Sequence, residues 1–397
     1  MSPLLALLIS AAPLSFDDAL SLSAKAPLVT ASERAVVGRR EAAANASSLQ
    51  ANPTIGIQPG VRSNTLGIGP EVIGSLSQSL NVSGFGGARR EALAREVSHE
   101  QVGAKLEAHR ARLSAAEAWL MAWSAQGVLA EAQRELELAR DLGARFERAG
   151  KSGAVTKADA AAIRAWVAEA QLAVLSAEGE VFDSGVQLNR VLGLDAAEPA
   201  RVTQTLPSVE LTDQAGSLAR AEKAPAVRAA AQLEEAEGAR ARELLASKGT
   251  WVQVGATGGR EGLGDVVALA TLSVTLPLFD RGQREAAPFL AAATHAQGER
   301  VAALAEARAE RVLVAHELEH TRETLEVTEG ELVPANDEAA QGTQRRMEAG
   351  EATSQEWVLA RRAALAAHSR LVRARANHAL ARFRAQELAE VTLGEIQ

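Results

Sequence analysis

The chain repeats one plan twice, and this duplication limits the folds that it can adopt. Residues 25–27 (KAP) return at 223–225, and residues 149–150 (AG) return at 349–350, so equivalent landmarks lie about 200 residues apart. Repeats of this kind indicate that one structural unit has been copied within the chain. The predicted divisions are a first repeat at 15–194, a linker at 195–212 and a second repeat at 213–397.

Each repeat contains two segments with the periodicity of β-strands. The clearest runs from Val266 to Leu276, where large or small apolar residues alternate with a second set that ends in Thr271, Ser273 and Thr275. Residues 75–80 alternate in the same way, and residues 55–57 and 252–254 carry weaker versions. One apolar and one small polar face over about ten residues is typical of a membrane barrel with a wet interior. An ordinary surface hairpin packed on helices would give the same pattern.

Long helices follow the strands in both repeats, at about 88–148 and 283–347. At 1.5 Å per residue, about sixty helical residues extend about 90 Å. Leucines step by seven in both helices, which predicts coiled-coil packing. A short glycine turn leads to a return helix of about forty residues, so each repeat ends in a long antiparallel hairpin. Pro334 is expected to bend the second long helix or to open its hydrogen bonding locally.

Composition removes several classes of function. Aromatic residues make up only 3% of the chain and there is no Tyr, which argues against an enzyme with an ordinary ring-lined pocket. The net charge of −8 offers no basic surplus for nucleic acid. With no Cys there is no disulfide, thiolate metal site or thiol nucleophile. We therefore predict no catalysis, no cofactor and no bound metal.

The N-terminus and the hydropathy pattern bear on membranes. Residues 1–14 (MSPLLALLISAAPL) are predicted to be a secretory signal or its remnant, although a basic start is missing. No later segment reaches the ~18 uninterrupted apolar residues of a membrane-spanning helix. Membrane insertion must therefore use strands. Four strands per chain are too few to close a barrel, whose known range starts at about eight, so inserted copies must oligomerise.

The order of these elements and several short motifs resemble the trimeric outer-membrane efflux proteins, the TolC-like exit ducts. The resemblance covers nearly the whole chain. The motifs are residues 14–20 (LSFDDAL) with 25–27, the strand-to-helix junction 274–282 (VTLPLFDRG), the tips 145–150 (RFERAG) and 346–350 (RMEAG), and residues 192–194 (LGL). Residues 332–335 (LVPA) resemble the branch that serves heavy-metal efflux.

The resemblance implies a mainly α fold with a small β part. In it, three chains share a twelve-stranded barrel in the outer-membrane lipid, and their helical hairpins form an α-barrel across the periplasm. It also implies a periplasmic adaptor and an inner-membrane pump as partners, and passive conduction of small molecules or metal ions. The tip residues expected to contact the adaptor are Ala149, Gly150, Lys151, Ala349, Gly350 and Glu351. Glycine suits such turns because they need a left-handed residue.

The resemblance also assigns an acidic gate just after the second tip. The first acidic position of the family falls on Glu356, and the second falls on Leu359, which departs from the pattern. Asp159, at the second position of the other repeat, is expected to supply the missing charge. Three-fold symmetry would turn either carboxylate into a ring of like charge that attracts cations. A solvated helix face is the plain alternative for both residues.

Two rival interpretations remain open from the sequence. Residues 316–320 (HELEH) match the zinc-peptidase signature, with His316 and His320 as ligands and Glu317 as general base. Leu318 belongs to the heptad seam, however, so the histidines are expected on the exposed side of a charged rod, without a substrate cleft. The second rival is a soluble coiled-coil scaffold, in which the strand-like segments are loops or a small cap.

Overall fold

The computed structural model describes residues 12–47, 51–64, 67–152, 155–208, 218–261 and 265–393. Most of the predicted signal segment and residues 209–217, at the end of the predicted linker, lie outside these ranges. Eight α-helices and four β-strands follow one another in the described part of the chain. They are α1 (Phe16–Ser23), α2 (Pro27–Ser47), β1 (Thr54–Asn64), β2 (Gly67–Asn81), α3 (Phe85–Lys151), α4 (Lys157–Leu192), α5 (Pro225–Ser247), β3 (Trp251–Glu261), β4 (Asp265–Thr275), α6 (Gln283–Val327), α7 (Val333–Glu348) and α8 (Ser354–Leu393).

The chain forms two compact units, and both repeats contribute to each of them. The helical unit comprises residues up to 31, residues 107–224 and residues from 306 onward. The sheet unit comprises residues 32–106 and 225–305. The order helix, two strands, long helix and return helix recurs in both halves, which confirms the predicted mainly α fold with an internal repeat.

Local sequence explains where the helices begin and end. Pro27 and Pro225 open α2 and α5, because proline fixes a helical φ and its missing N–H is not needed in the first turn. The Thr156 hydroxyl accepts a hydrogen bond from the Asp159 backbone N–H and caps α4. Gly193 ends α4 at φ +70°, where a Cβ would lie 2.9 Å from Cγ of Pro27. This position therefore requires glycine.

The sheet unit contains one antiparallel sheet in the order β1-β2-β3-β4. Strand β1 pairs with β2 from Thr54 opposite Ser77 to Asn64 opposite Gly67. The β2–β3 ladder, with Asn81 opposite Trp251, joins the two repeats. All four predicted strands are therefore present, and they form one sheet rather than two separate hairpins.

The helical unit has a first core built on three aromatic rings. The Phe16 ring stands edge-on to Trp119 and to Phe383, with centroids 5.3 and 5.4 Å apart. The Trp119 indole N–H donates to the Leu14 carbonyl at 2.9 Å. Leu14 also bridges to Val202 in the linker. The start of the chain and the linker are thus fixed on the same helices by paired backbone groups and ring packing.

A second core surrounds a buried ion pair. Glu135 on α3 accepts a hydrogen bond of 3.1 Å from the Trp166 indole N–H and one of 2.7 Å from the Arg361 guanidinium. Trp166 packs edge-on to Trp357, with centroids 5.0 Å apart. Since both carboxylate oxygens of a nearly inaccessible Glu are engaged, the charge is compensated where it is buried. Glu135 on α3 is thus connected to α4 through Trp166 and to α8 through Arg361.

Pro334 changes the helix before it, as predicted. Residues Thr328–Leu332 form one π-helical turn between α6 and α7, and the Val333 backbone N–H bonds the Thr328 carbonyl five residues back. Proline has no N–H to donate to the turn before it, and its ring crowds that turn. The Asn336 side chain donates to the Leu332 carbonyl at 2.7 Å. The long second helix is therefore two helices joined by a wider turn.

The predicted leucine seams are partly buried on these helices, with Leu106, Leu325 and Leu332 only half-buried. Leu120 and Leu318 are buried, and Leu113 packs against the first core.

Among the described residues one helix, α4, contains a stretch that is long and apolar enough to cross a membrane by length and composition alone. Its Ile163 and Trp166 are buried in the second core, and its Glu169 pairs with Arg362. These contacts cover only part of the apolar surface of α4, because Leu172, Leu175 and Phe182 are exposed.

Glu387 is a second buried carboxylate, on α8. It accepts a hydrogen bond of 2.6 Å from Nε of Arg112 and lies 3.5 Å from Nδ1 of His109. Burial alone would raise the pKa of Glu387, but the hydrogen bonds from His109 and Arg112 and the Arg112 charge outweigh burial and hold the pKa below its ordinary value of 4.5. Its ionised form therefore stabilises the fold.

We predict that acidification removes this stabilisation. A carboxyl whose pKa is lower in the folded state contributes fully above its unfolded value and loses the contribution as pH falls through the folded value. At neutral pH, Glu387→Gln should cost about 1.5–3 kcal/mol, the scale for hydrogen bonds to a charged group. The difference in Tm between wild type and variant should shrink below pH 4.5. A difference that is constant from neutral to acid pH would contradict this role.

Candidate functional site

The sheet presents an apolar face that the described part of the chain leaves uncovered. Residues that pair across the ladders share a face, which places Ile55 opposite Leu76 and Val254 opposite Leu272 on the same side. Their exposures are high, at 75% for Ile55 and 72% for Leu272. The large apolar residues of this face are Ile55, Ile57, Val61, Ile68, Val72, Leu76, Leu80, Val254, Val266, Leu272 and Val274. A contiguous exposed patch of this kind marks a surface that meets another apolar phase.

The opposite face is small and polar over most of its area. The Gln253 amide donates to the Ser77 hydroxyl at 2.8 Å and accepts from the Ser273 hydroxyl at 3.3 Å, so a polar chain crosses β2, β3 and β4. Ile73, Val267 and Leu269 share this face in its other half. The predicted alternation in β4 is confirmed, with Thr271 and Ser273 on the polar side.

Both edges of the sheet are open along the described strands. Strands β1 and β4 pair on one side only, and each is 11 residues long. An edge strand presents a row of unpaired backbone N–H and C=O groups. In lipid each unsatisfied group costs several kcal/mol, so an open four-stranded sheet is not stable there alone.

Few aromatic residues lie at the strand ends. Phe85 and Trp251 lie side by side, with centroids 6.2 Å apart, and the Trp251 indole N–H donates to the Ser247 carbonyl. Phe279, in the junction after β4, is 95% exposed. Rings of this type occur at membrane–water boundaries, where an apolar body and a polar end are both accommodated.

The two helical tips are built differently. Gly350 has φ +76°, and the Glu351 N–H bonds the Arg346 carbonyl at 2.8 Å, which closes α7 with a left-handed glycine turn as predicted. Ala149, Gly150 and Lys151, in contrast, belong to the last turn of α3, and Gly150 has no positive φ. The prediction that Gly150 forms a left-handed turn is therefore wrong. The connection to α4 comes later, at 152–156, of which 153–154 lie outside the described residues.

The two predicted gate carboxylates occupy equivalent positions. Thr156 caps α4 and Thr353 caps α8, and Asp159 and Glu356 each stand three residues after their cap. Asp159 therefore corresponds to Glu356 rather than to Leu359, which corrects the predicted alignment. The cause is the end of the preceding helix: α3 continues through Gly150 to Lys151, whereas α7 ends at Glu348, so the first cap lies three residues further from its tip glycine.

Their surroundings differ. The Ser354 hydroxyl donates to Asp159 at 2.5 Å, and the Thr156 hydroxyl donates to its other oxygen. These hydrogen bonds, that from Ser354 first, lower the pKa of Asp159 below its ordinary value. The Glu356 side chain is exposed, with one oxygen 4.0 Å from the Arg346 guanidinium. Asp159 thus ties the starts of α4 and α8 together, while Glu356 projects into solvent.

The zinc-peptidase interpretation gains no support from the structure. His316 and His320 are exposed, Leu318 is buried between them, and Glu317 lies 3.1 Å from the Arg384 guanidinium. The proposed general base is thus held in an ion pair. Across the described residues, no group of three or more His, Cys, Asp and Glu side chains is arranged to hold a metal ion.

Two residues that shape these surfaces, Gly259 and Ser354, were not predicted from the sequence. One is Gly259, on the polar face of β3, where a Cβ would lie 2.8 Å from Cα of Ile73 and closer still to the Val72 carbonyl oxygen. Ser354 was also missed, because its partner Asp159 lies 195 residues away in the chain. The Gly258-Gly259 pair inside an alternating strand was the only available signal for the close backbone approach.

Solved outer-membrane channels share this fold. CusC, described in connection with transmembrane channel formation, has a TM-score of 0.76 at 14% identity, covering 94% of this chain and 91% of its own. VceC, an outer membrane protein from Vibrio cholerae, has a TM-score of 0.70 at 16% identity, covering 96% and 97%. The open MtrE outer membrane channel of Neisseria gonorrhoeae has a TM-score of 0.72 at 16% identity, covering 96% and 89%. No family model and no curated protein matches the sequence. At these identities the likeness establishes the fold.

We predict that substitution by alanine destabilises the sheet at Gly259 but not at the neighbouring Gly258. Gly259→Ala should destabilise the sheet by about 1–3 kcal/mol, the usual cost of forcing a methyl group into a filled space. Gly258→Ala is the matched control, since its nearest neighbour would be the Val267 carbonyl oxygen at 3.5 Å, an ordinary contact. Scanning calorimetry of both purified variants checks this. Equal Tm values for the two variants would refute the close approach at Gly259.

Proposed function

We propose that this protein is the outer-membrane exit duct of a tripartite efflux system. The observation that carries the proposal is the four-stranded sheet, with one exposed apolar face, one mainly polar face and two open edges. An apolar exterior, a wet interior and no free edge define a transmembrane β-barrel. A soluble scaffold would leave the apolar face in water, so the sheet favours the duct. The likeness to solved outer-membrane channels supports the same assignment.

Strand arithmetic favours three copies in one barrel. Two copies would give eight strands, whose interior is filled by side chains. Three copies give twelve strands, which leave more room inside and lie within the known range of about 8 to 26. In the homotrimer, β4 of one copy pairs with β1 of the next. We place this barrel in the outer membrane and the helical unit in the periplasm.

The edge strands also suggest a register for that pairing. Both contain 11 residues, and aligning them antiparallel, end to end, puts Ile57 opposite Leu272 of the next copy. Both side chains belong to the apolar face. A shift by one residue would place an apolar side chain opposite the polar face, and the two faces would no longer be continuous.

The tips are proposed to meet the periplasmic adaptor, which connects the duct to an inner-membrane pump. The residues are Ala149, Gly150, Lys151, Ala349, Gly350 and Glu351. The pump supplies the energy, and the duct performs no covalent chemistry. The heavy-metal branch stays a prediction that rests on residues 332–335.

The barrel interface can be tested by cross-linking, because the native chain has no Cys. Ile57→Cys combined with Leu272→Cys should give covalent trimers in membranes treated with a short bifunctional thiol reagent. Gln58→Cys with Leu272→Cys is the control, since Gln58 lies on the opposite face. A monomer that stays soluble and uncross-linked would contradict the duct and favour the scaffold. Cross-linked dimers without trimers would contradict the twelve-stranded barrel.

The gate is tested in planar bilayers. We expect Glu356→Ala to lower the preference of the channel for cations, because three exposed carboxylates leave the inlet. Ser354→Ala keeps every charge but removes the hydrogen bond to Asp159, so it should change the open probability and leave the ion preference unaltered. Unchanged conductance and selectivity in Glu356→Ala would remove this residue from the gate.

A further inference from the structure

His316 and His320 form a geometrically matched pair on α6. Their rings stand nearly parallel, at 15°, with centroids 6.0 Å apart, and both side chains are exposed. Residues four apart on a helix lie one above the other on the same face. A metal–nitrogen bond is about 2.0–2.1 Å, so two imidazoles on one ion have centroids about 4.5–6.5 Å apart. The observed separation falls in that range. A ring nitrogen binds a metal in the plane of its ring, so the two nearly parallel rings must turn about their side-chain bonds to meet on one ion, while the backbone stays in place.

The neighbouring carboxylates are engaged elsewhere. Glu317 is paired with Arg384, and Glu319 lies 2.6 Å from the Arg322 guanidinium. Glu319 is therefore committed to Arg322. The two imidazoles are left as the available ligands, and water must fill the other coordination positions.

Two imidazoles select the class of metal. Nitrogen ligands suit Cu²⁺, Ni²⁺ and Zn²⁺, with Cu²⁺ bound most tightly among the divalent first-row ions. Mg²⁺ and Ca²⁺ require oxygen ligands and are excluded from such a pair. Within the described residues no third side chain completes a closed site. The pair therefore suits an exchangeable surface ion rather than a structural zinc.

We propose that His316 and His320 bind one copper-class divalent ion per chain on the surface of the helical unit. The ion bridges two successive turns of α6. Since it binds only the helical arrangement of the pair, it also stabilises the fold, by an amount that rises with the logarithm of the ion concentration once this exceeds the Kd. The site does not depend on the proposed duct, since it needs only the described geometry of α6.

The test uses the full chain in detergent, without an affinity tag, titrated with copper(II) chloride. Calorimetry should give one strong site per chain, and electron paramagnetic resonance should show nitrogen coupling. His316→Ala combined with His320→Ala should abolish that site. We expect each single variant to bind copper at least about tenfold more weakly, because metal sites lose about this much affinity even when a supporting group is removed.

Matched controls separate the pair from other ligands. His295→Ala removes an exposed histidine of the same helix, and Glu317→Gln removes the carboxylate between the pair, so both should bind copper like wild type. In unmutated protein, copper should protect His316 and His320, but not His295, from diethyl pyrocarbonate. Undiminished binding in the double variant, loss of binding in Glu317→Gln, or no selective protection would each overturn the assignment.

Discussion

The unpaired edges of the four-stranded sheet are the constraint on which the rest of this structure depends. A sheet with an exposed apolar face and two free edges is stable neither in water nor in lipid as a single copy. The face requires an apolar surrounding, and the edges require backbone partners. Further copies of the same sheet meet the second requirement, because β1 and β4 have equal length and matching faces. The oligomer thus follows from backbone hydrogen bonding rather than from any particular side-chain contact.

The helical unit solves a different problem, which is how to hold long hairpins together with few large side chains. Most buried positions are alanine, which allows close helix packing but contributes little apolar area per residue. Large buried apolar surfaces come instead from a few aromatic rings. These are Trp119 with Phe16 and Phe383 in one core and Trp166 with Trp357 in the other. Buried Glu135 on α3 then connects three helices, because one of its oxygens accepts from Trp166 on α4 and the other accepts from Arg361 on α8.

Periodic and capping signals made much of this fold predictable. The alternation in β4, the leucine seams and Pro334 predicted a strand, a buried stripe and a disturbed helix, because each acts through neighbours within one or two turns. Gly150 shows the limit of such signals, since the same dipeptide stands in a turn at Gly350 and in a helix here. Contacts such as Glu135 with Arg361, or Asp159 with Ser354, join residues about 200 positions apart. No local pattern encodes them, because tertiary packing decides which faces meet.

The two repeats have diverged where their hairpins end. The first hairpin has a continuous long helix that runs through Gly150, whereas the second has the π-helical turn at Thr328–Leu332 and a left-handed glycine turn at Gly350. Glu356 is exposed, while the equivalent Asp159 is bound by two hydroxyls. The two carboxylates therefore occupy the same position of the repeat but differ in their contacts. Asp159 holds the starts of α4 and α8 together, whereas Glu356 keeps an accessible charge. In the proposed trimer the two kinds of tip would alternate around the ring, so a partner that binds there would meet three-fold rather than six-fold symmetry.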